Sequence, residues 1–330
     1  MCSRSCPRIL VQRSSELFFF YLLLFVRFRS FEGRSERSKE STTKTRDELN
    51  VTYVEDIARK FASISSVTYC EKNLDTVLNW TCQACQEADT PLVPGSVRLI
   101  DGSVDGSSRI LIGKLEKQKG CVMAFRGSEN VLNWIDDFKA WEVKPKTFNS
   151  TSCKGCKVHS GFYNLWEDVK NLTLAALEEV GCTVESDDNL VYITGHSLGA
   201  ALTHIAMFSL KDRGWRIEKT YSFEAPRVGN KNFADAFVDL FEREFPVFRI
   251  THHEDPIVHL PPESFGYYHV ATEVYYDQHG NYTVCDGTGE DDKCADQYWD
   301  VPQMILTNAG DHCASPLVPN GDLCNPVGCV

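Results

Sequence analysis

The chain has 330 residues and a mass of 37.3 kDa, within reach of one large α/β domain. Hydrophobic residues make up 42%, aromatics 11% and charged residues 24%, which fits a globular protein with a sizeable core and excludes a disordered or collagen-like chain. The net charge of −12 is uneven: residues 1–46 hold ten Lys/Arg against four Asp/Glu, or +6, which leaves −18 on the remainder. A body that acidic is a poor match for phosphate backbones, and no nucleic-acid partner is expected. Of fourteen cysteines, Cys2 and Cys6 lie in the basic N-terminal segment. The remaining twelve point to an oxidising compartment.

Arg4, Arg8 and Arg13 precede an apolar run from Leu17 to Val26. A basic stretch followed by about ten apolar residues reads as a secretory signal, and a bilayer span needs roughly 20. Residues 1–30 are therefore read as a signal peptide. Arg27 and Arg29 follow at once without an A-x-A-like site, so the cleavage point is not legible and a surface-lying or uncleaved anchor is the rival. No other stretch reaches membrane-spanning length. Residues 31–48, rich in Ser, Thr, Arg, Lys and Glu, read as a disordered leader, and 49–330 as one domain. Five N-x-S/T sequons, at Asn50, Asn79, Asn149, Asn171 and Asn281, agree with a secreted or secretory-lumen glycoprotein.

Within the body, Val54, Ile57, Ala58 and Phe61 have helical spacing. The apolar runs 108–116 and 121–125, separated by Lys117-Gln118-Lys119-Gly120, predict a hairpin. Phe162, Leu165, Trp166, Val169 and Leu172 predict one face of a helix. Leu190 to Ile193 predict a buried strand, and helical periodicity resumes from Ala200 to Leu210. Further strands are expected at 220–223 and 245–250. Strands alternating with helices argue for an α/β fold with a mostly parallel central sheet.

Gly195-His196-Ser197-Leu198-Gly199 sits between the 190–193 strand and the helix that follows. The G-x-S-x-G pattern alone is modest evidence, but a strand-to-helix placement is where a nucleophilic serine needs flanking glycines to relieve a strained turn. The bland alternative is a Gly-rich connection with a capping serine. A serine hydroxyl needs a base to take its proton, and in this architecture an acid and then a histidine follow it in the chain. Asp255, just past the strand ending at Ile250, is the acid candidate, with Glu254 its neighbouring rival. Of the later histidines, His259 is too close to Asp255 and His279 lies in a polar turn; spacing does not choose between His269 and His312.

Seven passages stand in order along the chain: Ala124-Phe125-Arg126-Gly127-Ser128, Asn133-Trp134-Ile135-Asp136-Asp137-Phe138, Val158-His159-Ser160-Gly161-Phe162, Thr194 to Ala201, Ala225-Pro226-Arg227-Val228-Gly229, Asp255 to Pro262, and Asp311-His312. In order and spacing they resemble the class 3 lipase family, the fungal-type triacylglycerol lipases, and the resemblance covers roughly residues 50–326. The resemblance implies an α/β-hydrolase fold with a mostly parallel sheet and a short helical lid. It implies Ser197, Asp255 and His312 as the catalytic triad and leaves His269, after Tyr267-Tyr268, a structural role. It also implies an oxyanion hole from Ser128 and Leu198, with Asp137 orienting Ser128. One departure is that Cys313-Ala314-Ser315-Pro316 follows Asp311-His312, where the family often has a hydrophobic residue and an aromatic.

Val131, Trp134, Ile135 and Phe138 form an apolar stripe at the position of the family's lid; a core-packed helix is the alternative. A lid would shield the site in water and open at a lipid surface. The resemblance further implies disulfides Cys70–Cys324, Cys82–Cys85 and Cys285–Cys294, and Cys153-x-x-Cys156 looks like a local fourth. Cys121, Cys182, Cys313 and Cys329 stay unplaced. Zinc at the two C-x-x-C units is the rival reading, and 286–292 is read as a solvated acidic loop rather than a calcium site. The expectation is a monomeric, secreted serine carboxylic-ester hydrolase working on lipid esters at an oil–water or membrane interface, without metal or cofactor. The alternatives are a phospholipase or galactolipase, a feruloyl-type esterase, and a non-catalytic lipid-binding protein.

Overall fold

The computed structural model describes residues 52–102, 108–128, 141–146, 148–149, 151–242, 244–245, 247–270, 272–298 and 308–329. The expected signal peptide, the leader and the lid stripe Val131, Trp134, Ile135 and Phe138 lie outside the described residues, as does Asp137.

In chain order the strands are β1 (Arg98–Asp101), β2 (Arg109–Lys114), β3 (Cys121–Phe125), β4 (Glu142–Val143), β5 (Val158–His159), β6 (Leu190–His196) and β7 (Arg216–Ile217). They continue as β8 (Thr220–Phe223), β9 (Gly229–Asn230), β10 (Val247–His252), β11 (Tyr267–Tyr268), β12 (Thr272–Tyr276) and β13 (Tyr282–Val284). The helices are α1 (Glu55–Val67), α2 (Leu74–Leu78), α3 (Gln83–Glu87), α4 (Ser160–Glu179), α5 (Leu198–Lys211) and α6 (Lys231–Phe237).

The larger sheet has the order β1-β2-β3-β6-β8-β10-β12-β13, with β7 also pairing β6. Its centre, from β3 to β12, is parallel, and β1, β2 and β13 are antiparallel additions. The predicted hairpin is β2–β3. A small sheet, β11-β9-β5-β4, is antiparallel.

Side chains alternate across a strand, and this sorts the core into two layers. Ile110, Ile112, Met123, Phe125, Val191 and Ile193 face one layer, which includes Phe162 and Trp166 of α4 and Leu202 and Ile205 of α5. Leu111, Val122 and Ala124 face the other, with Ile64 and Val67 of α1. Tyr221, Phe223, Phe248 and Ile250 extend that side over Ala58, Phe61 and Ala62 of α1.

One member of the predicted α4 stripe is corrected. Leu172 is exposed, and Thr173 is buried in its place. At 100° per residue, position 173 returns to the azimuth of Phe162, whereas 172 lies a quarter turn away.

The cysteine pairing is corrected as well. Cys70 bonds Cys329, not Cys324, and Cys324 bonds Cys313. The backbone decides between two candidates five residues apart. The N–H groups of Glu71 and Lys72 donate to the Cys329 carbonyl, which brings Cys70 to that residue, while Leu323 N–H donates to the Cys313 carbonyl at 2.8 Å. Cys121 joins Cys182, linking β3 to the chain just past α4. Cys82–Cys85, Cys153–Cys156 and Cys285–Cys294 are each bonded, so neither C-x-x-C unit offers thiolates to zinc.

The loop 286–292 is not simply solvated. Glu290 turns inward to Arg227, with Nη2 2.6 Å from Oε2 and Nε 2.9 Å from Oε1. Arg227 also donates to the His259 carbonyl at 2.7 Å, so one buried guanidinium holds this loop against the segment after Asp255.

Candidate active site

β6 ends at His196, and α5 begins at Leu198. Ser197 between them has φ +59° and ψ −126°, a conformation outside the regions open to most non-glycine residues. The flanking glycines make the turn sterically possible. A Cβ on Gly195 would lie 2.3 Å from the Gly199 carbonyl oxygen, and one on Gly199 would lie 2.2 Å from that of Phe125. The helix therefore packs directly against the ends of β6 and β3. Ser197 and Leu198 are both buried, and Leu198 begins the helix, where backbone N–H groups have no intrahelical acceptor.

Asp255 follows β10, on the same C-terminal edge of the sheet. Its Oδ1 accepts the Ile257 N–H at 2.8 Å and its Oδ2 lies 2.7 Å from His312 Nδ1. The carboxylate can only accept, so Nδ1 carries the proton. His312 Nε2 is buried and has no hydrogen-bond partner among the described residues. Burial pushes the Asp255 carboxyl up, but the His312 ring and the hydrogen bonds outweigh it and hold the group below its usual range.

The structure brings His312, not His269, to Asp255. His269 is buried elsewhere and its Nε2 donates to the Val258 carbonyl at 2.7 Å. Glu254, the rival acid, accepts from Asn308. His259 lies 3.5 Å from Asp296, and His279 sits in an exposed turn. Asp311 accepts from His253 at 2.8 Å, anchoring the short turn that carries His312.

Ser128 lies beyond the end of β3, partly buried. The residue before it fixes the loop's position. A Cβ on Gly127 would be 2.8 Å from Ser197 Cβ and 2.8 Å from the His196 carbonyl oxygen, so the loop lies against the serine turn. Arg126, buried at the base of the loop, pairs with Glu71 at 2.6 Å. Glu71 follows Cys70, which is bonded to Cys329.

Four contributors were not legible in the sequence: Tyr69, His196, Arg126 and Glu224. Tyr69 Oη accepts the Gly127 N–H at 3.1 Å and donates to His196 Nδ1 at 2.6 Å. His196 Nε2 then donates to the His312 carbonyl at 2.7 Å. A carbonyl only accepts, so the tautomer is fixed and every polar group in the chain is satisfied. Burial, followed by the neighbouring His312, pushes the His196 ring down to about 3, so it stays neutral. This relay joins the Ser128 loop, the serine turn and the histidine turn. The one hint in the sequence is that His196 stands inside the G-x-S-x-G motif. Glu224, the residue after β8, lies beside Asp255.

A positive-φ serine on a strand-to-helix turn, a mostly parallel sheet and a buried histidine–aspartate pair on the sheet's C-terminal edge together define the α/β-hydrolase class of fold. The family model described as Lipase (class 3) matches residues 122–265. The secreted mono- and diacylglycerol lipase A of Penicillium cyclopium is 34% identical over 163 residues, 49% of this chain and 50% of that protein. The secreted mono- and diacylglycerol lipase 1 of Fusarium solani is 32% identical over 243 residues, 69% of this chain and 68% of the relative. The solved structure of lipase II from Rhizopus niveus superposes with a TM-score of 0.64 at 25% identity, covering 84% of this chain and 97% of that one. The chain belongs to the class 3 lipase family. It spans about half the length of the Penicillium relative.

Proposed function

We propose that this chain is a secreted serine carboxylic-ester hydrolase whose substrates are neutral acylglycerols. The observation that carries the reading is the buried Asp255–His312 hydrogen bond at 2.7 Å, on the sheet edge where Ser197 holds φ +59°. In this mechanism Ser197 Oγ attacks the acyl carbonyl and passes its proton to His312 Nε2. Asp255 holds the imidazole in the tautomer that exposes Nε2 and stabilises its charged form. The oxyanion is held by the backbone N–H groups of Ser128 and Leu198, each contributing roughly 3 kcal/mol in the transition state. His312 then protonates the departing alcohol and activates the water that releases the fatty acid. Each step uses side chains and backbone of this chain, with no cofactor or metal assigned a part.

The substrate class is supported by family membership and by the Penicillium and Fusarium relatives, both named as mono- and diacylglycerol lipases. Secretion is supported by the same relatives, by six disulfides among the described residues, and by the exposure of Asn79, Asn149, Asn171 and Asn281 within their sequons. No helix among the described residues is long and apolar enough to cross a membrane. We include in the proposal residues 1–30 as a signal peptide, 49–330 as one catalytic domain, and the 131–138 stripe as a lid.

The test is a panel of emulsified mono-, di- and triacylglycerols, phospholipid, galactolipid, a feruloyl ester and a short-chain soluble ester, with Ser197→Ala as control. Preferred turnover of the acylglycerols, lost in the variant, supports the reading. Preference for phospholipid, galactolipid or the feruloyl ester moves the chain to another substrate class, and activity surviving Ser197→Ala removes the mechanism.

A further inference from the structure

β8 ends at Phe223, and the next residue is Glu224, with φ +50°. A non-glycine residue in the left-handed region carries a backbone cost, and such outliers persist where the surroundings over-determine them. Here the conformation turns a carboxyl group into the interior. Glu224 is buried, its Oε2 accepts the His252 N–H at 3.0 Å, and its carboxyl lies beside the buried carboxyl of Asp255.

Two carboxyls side by side in a dry site do not both ionise, because like charges there repel without solvent to screen them, so one of the pair keeps its proton and can donate it to the other. The number of donors decides which. Among the described residues Asp255 receives His312 Nδ1–H on Oδ2 and Ile257 N–H on Oδ1, whereas Glu224 receives only His252 N–H. The charge settles on the carboxyl with more donors, and the proton stays on Glu224. The other charged groups around the pair agree. Glu273 of β12 disfavours a charge on Glu224, although Glu273 itself is neutralised by Arg249 at 3.0 Å. On the Asp255 side the facing group is His312, with His252, whose ring lies 3.4 Å from the Asp311 carbonyl, beside it.

We propose that Glu224 is a positioning residue: a protonated carboxyl that donates to Asp255 and fixes the carboxylate that orients His312. The inference rests on the esterase reading for its kinetic consequences, but the protonation itself is independent of that reading. Desolvation, the first of several causes, also drives the Glu224 carboxyl well above the usual range. The donated hydrogen bond has two effects. It holds Asp255 in place for His312, and it spreads the aspartate's charge, which limits how strongly the carboxylate favours the protonated imidazole.

The experiment compares wild type, Glu224→Leu and Glu224→Gln on a soluble short-chain ester from acid to neutral pH, with infrared spectra of wild type and the Gln variant at pH 7. Leu removes the donor, so kcat falls on the order of tenfold with KM unchanged. The acid limb of kcat/KM, which follows protonation of the imidazole, moves to higher pH. Gln keeps a neutral donor and rescues both, to within about threefold of wild type and with the acid limb in place. The infrared carbonyl stretch of an un-ionised carboxyl is present in wild type and lost in Glu224→Gln. The proposal is overturned if that stretch is missing from wild type, if Gln moves the acid limb to lower pH as removal of a negative charge requires, or if Leu leaves kcat and the profile untouched. Should the Leu variant fail to fold, the Gln profile and the spectra decide alone. A wild type without esterase activity would refute the function reading, and the infrared stretch would still test Glu224.

Discussion

Gly127→Ala separates a glycine needed for catalysis from one that is merely near the site. A Cβ at this position would stand 2.3 Å from Tyr69 Oη, 2.8 Å from the His196 carbonyl oxygen and 2.8 Å from Ser197 Cβ. Non-bonded carbons rest about 3.5–4.0 Å apart, so the Ser128 loop and the serine turn must separate by roughly 1 Å. Tyr69 cannot simply swing aside, because its hydroxyl is bonded on both sides, to Gly127 N–H and to His196 Nδ1. A misplacement of about 1 Å in reacting geometry costs on the order of 100-fold in rate. Overpacking of this kind costs about 1–3 kcal/mol in stability. If the Ser128 loop supplies the proposed oxyanion contact, that contact matters in the transition state and not in the bound ester, so the loss falls on kcat with KM nearly constant. Steady-state kinetics on a soluble ester, with thermal unfolding of the same preparation, read both quantities. A Gly127→Ala enzyme within threefold of wild-type kcat and with an unshifted melting temperature would refute the placement of this loop against Ser197.

Tyr69→Phe leaves Gly127 N–H and His196 Nδ1 buried without their partner; at about 1–3 kcal/mol for each, unfolding stability should fall by about 2–6 kcal/mol, measured by denaturant titration. Asp255→Asn should lower kcat by about 10⁴ while the fold persists, because the amide no longer holds the Nδ1-H tautomer; stopped assays on the same ester check this. Glu224→Gln should gain stability over wild type as pH rises. A folded-state carboxyl raised above its unfolded value of about 4.3 contributes stability that is full below that value and is lost as pH climbs towards the folded value. The gap between variant and wild type should therefore widen by up to about 1.4 kcal/mol per pH unit above pH 4.3, read from melts across pH 4–8. Replacing Cys70 and Cys329 together by Ser opens a loop with a sequence separation of 259 residues. The chain-entropy model predicts a loss of roughly 5 kcal/mol, seen as a lower denaturant midpoint.

The readable part of the site is the part whose chemistry depends on neighbours in sequence. Ser197 needs Gly195 and Gly199 beside it because the backbone packing at both positions excludes a side chain, and that requirement is written within five residues. Asp255 was placed by its position after a strand. His312 was not, because it meets Asp255 across 57 residues on a turn held by Asp311 and His253; only resemblance to other chains selected it over His269. Tyr69 and Glu224 were invisible for the same reason in stronger form. Tyr69 lies two residues beyond α1 and Glu224 one residue beyond β8, and neither position announces that its side chain turns towards the site. The Cys70 partner was missed by five residues because Cys324 and Cys329 share one short C-terminal stretch, where backbone hydrogen bonds rather than spacing choose. The acidic loop misled for a physical reason as well: a run of carboxylates suggests solvent, yet Arg227 supplies a buried counter-charge for Glu290.

The most direct test of the central claim is mass mapping of a fluorophosphonate adduct, followed against residual acylglycerol hydrolysis in the same samples. The expected result is a single adduct, on Ser197, whose stoichiometry matches the fraction of activity lost. Full labelling of Ser197 with hydrolysis intact, or loss of hydrolysis with the adduct on another residue, would contradict it.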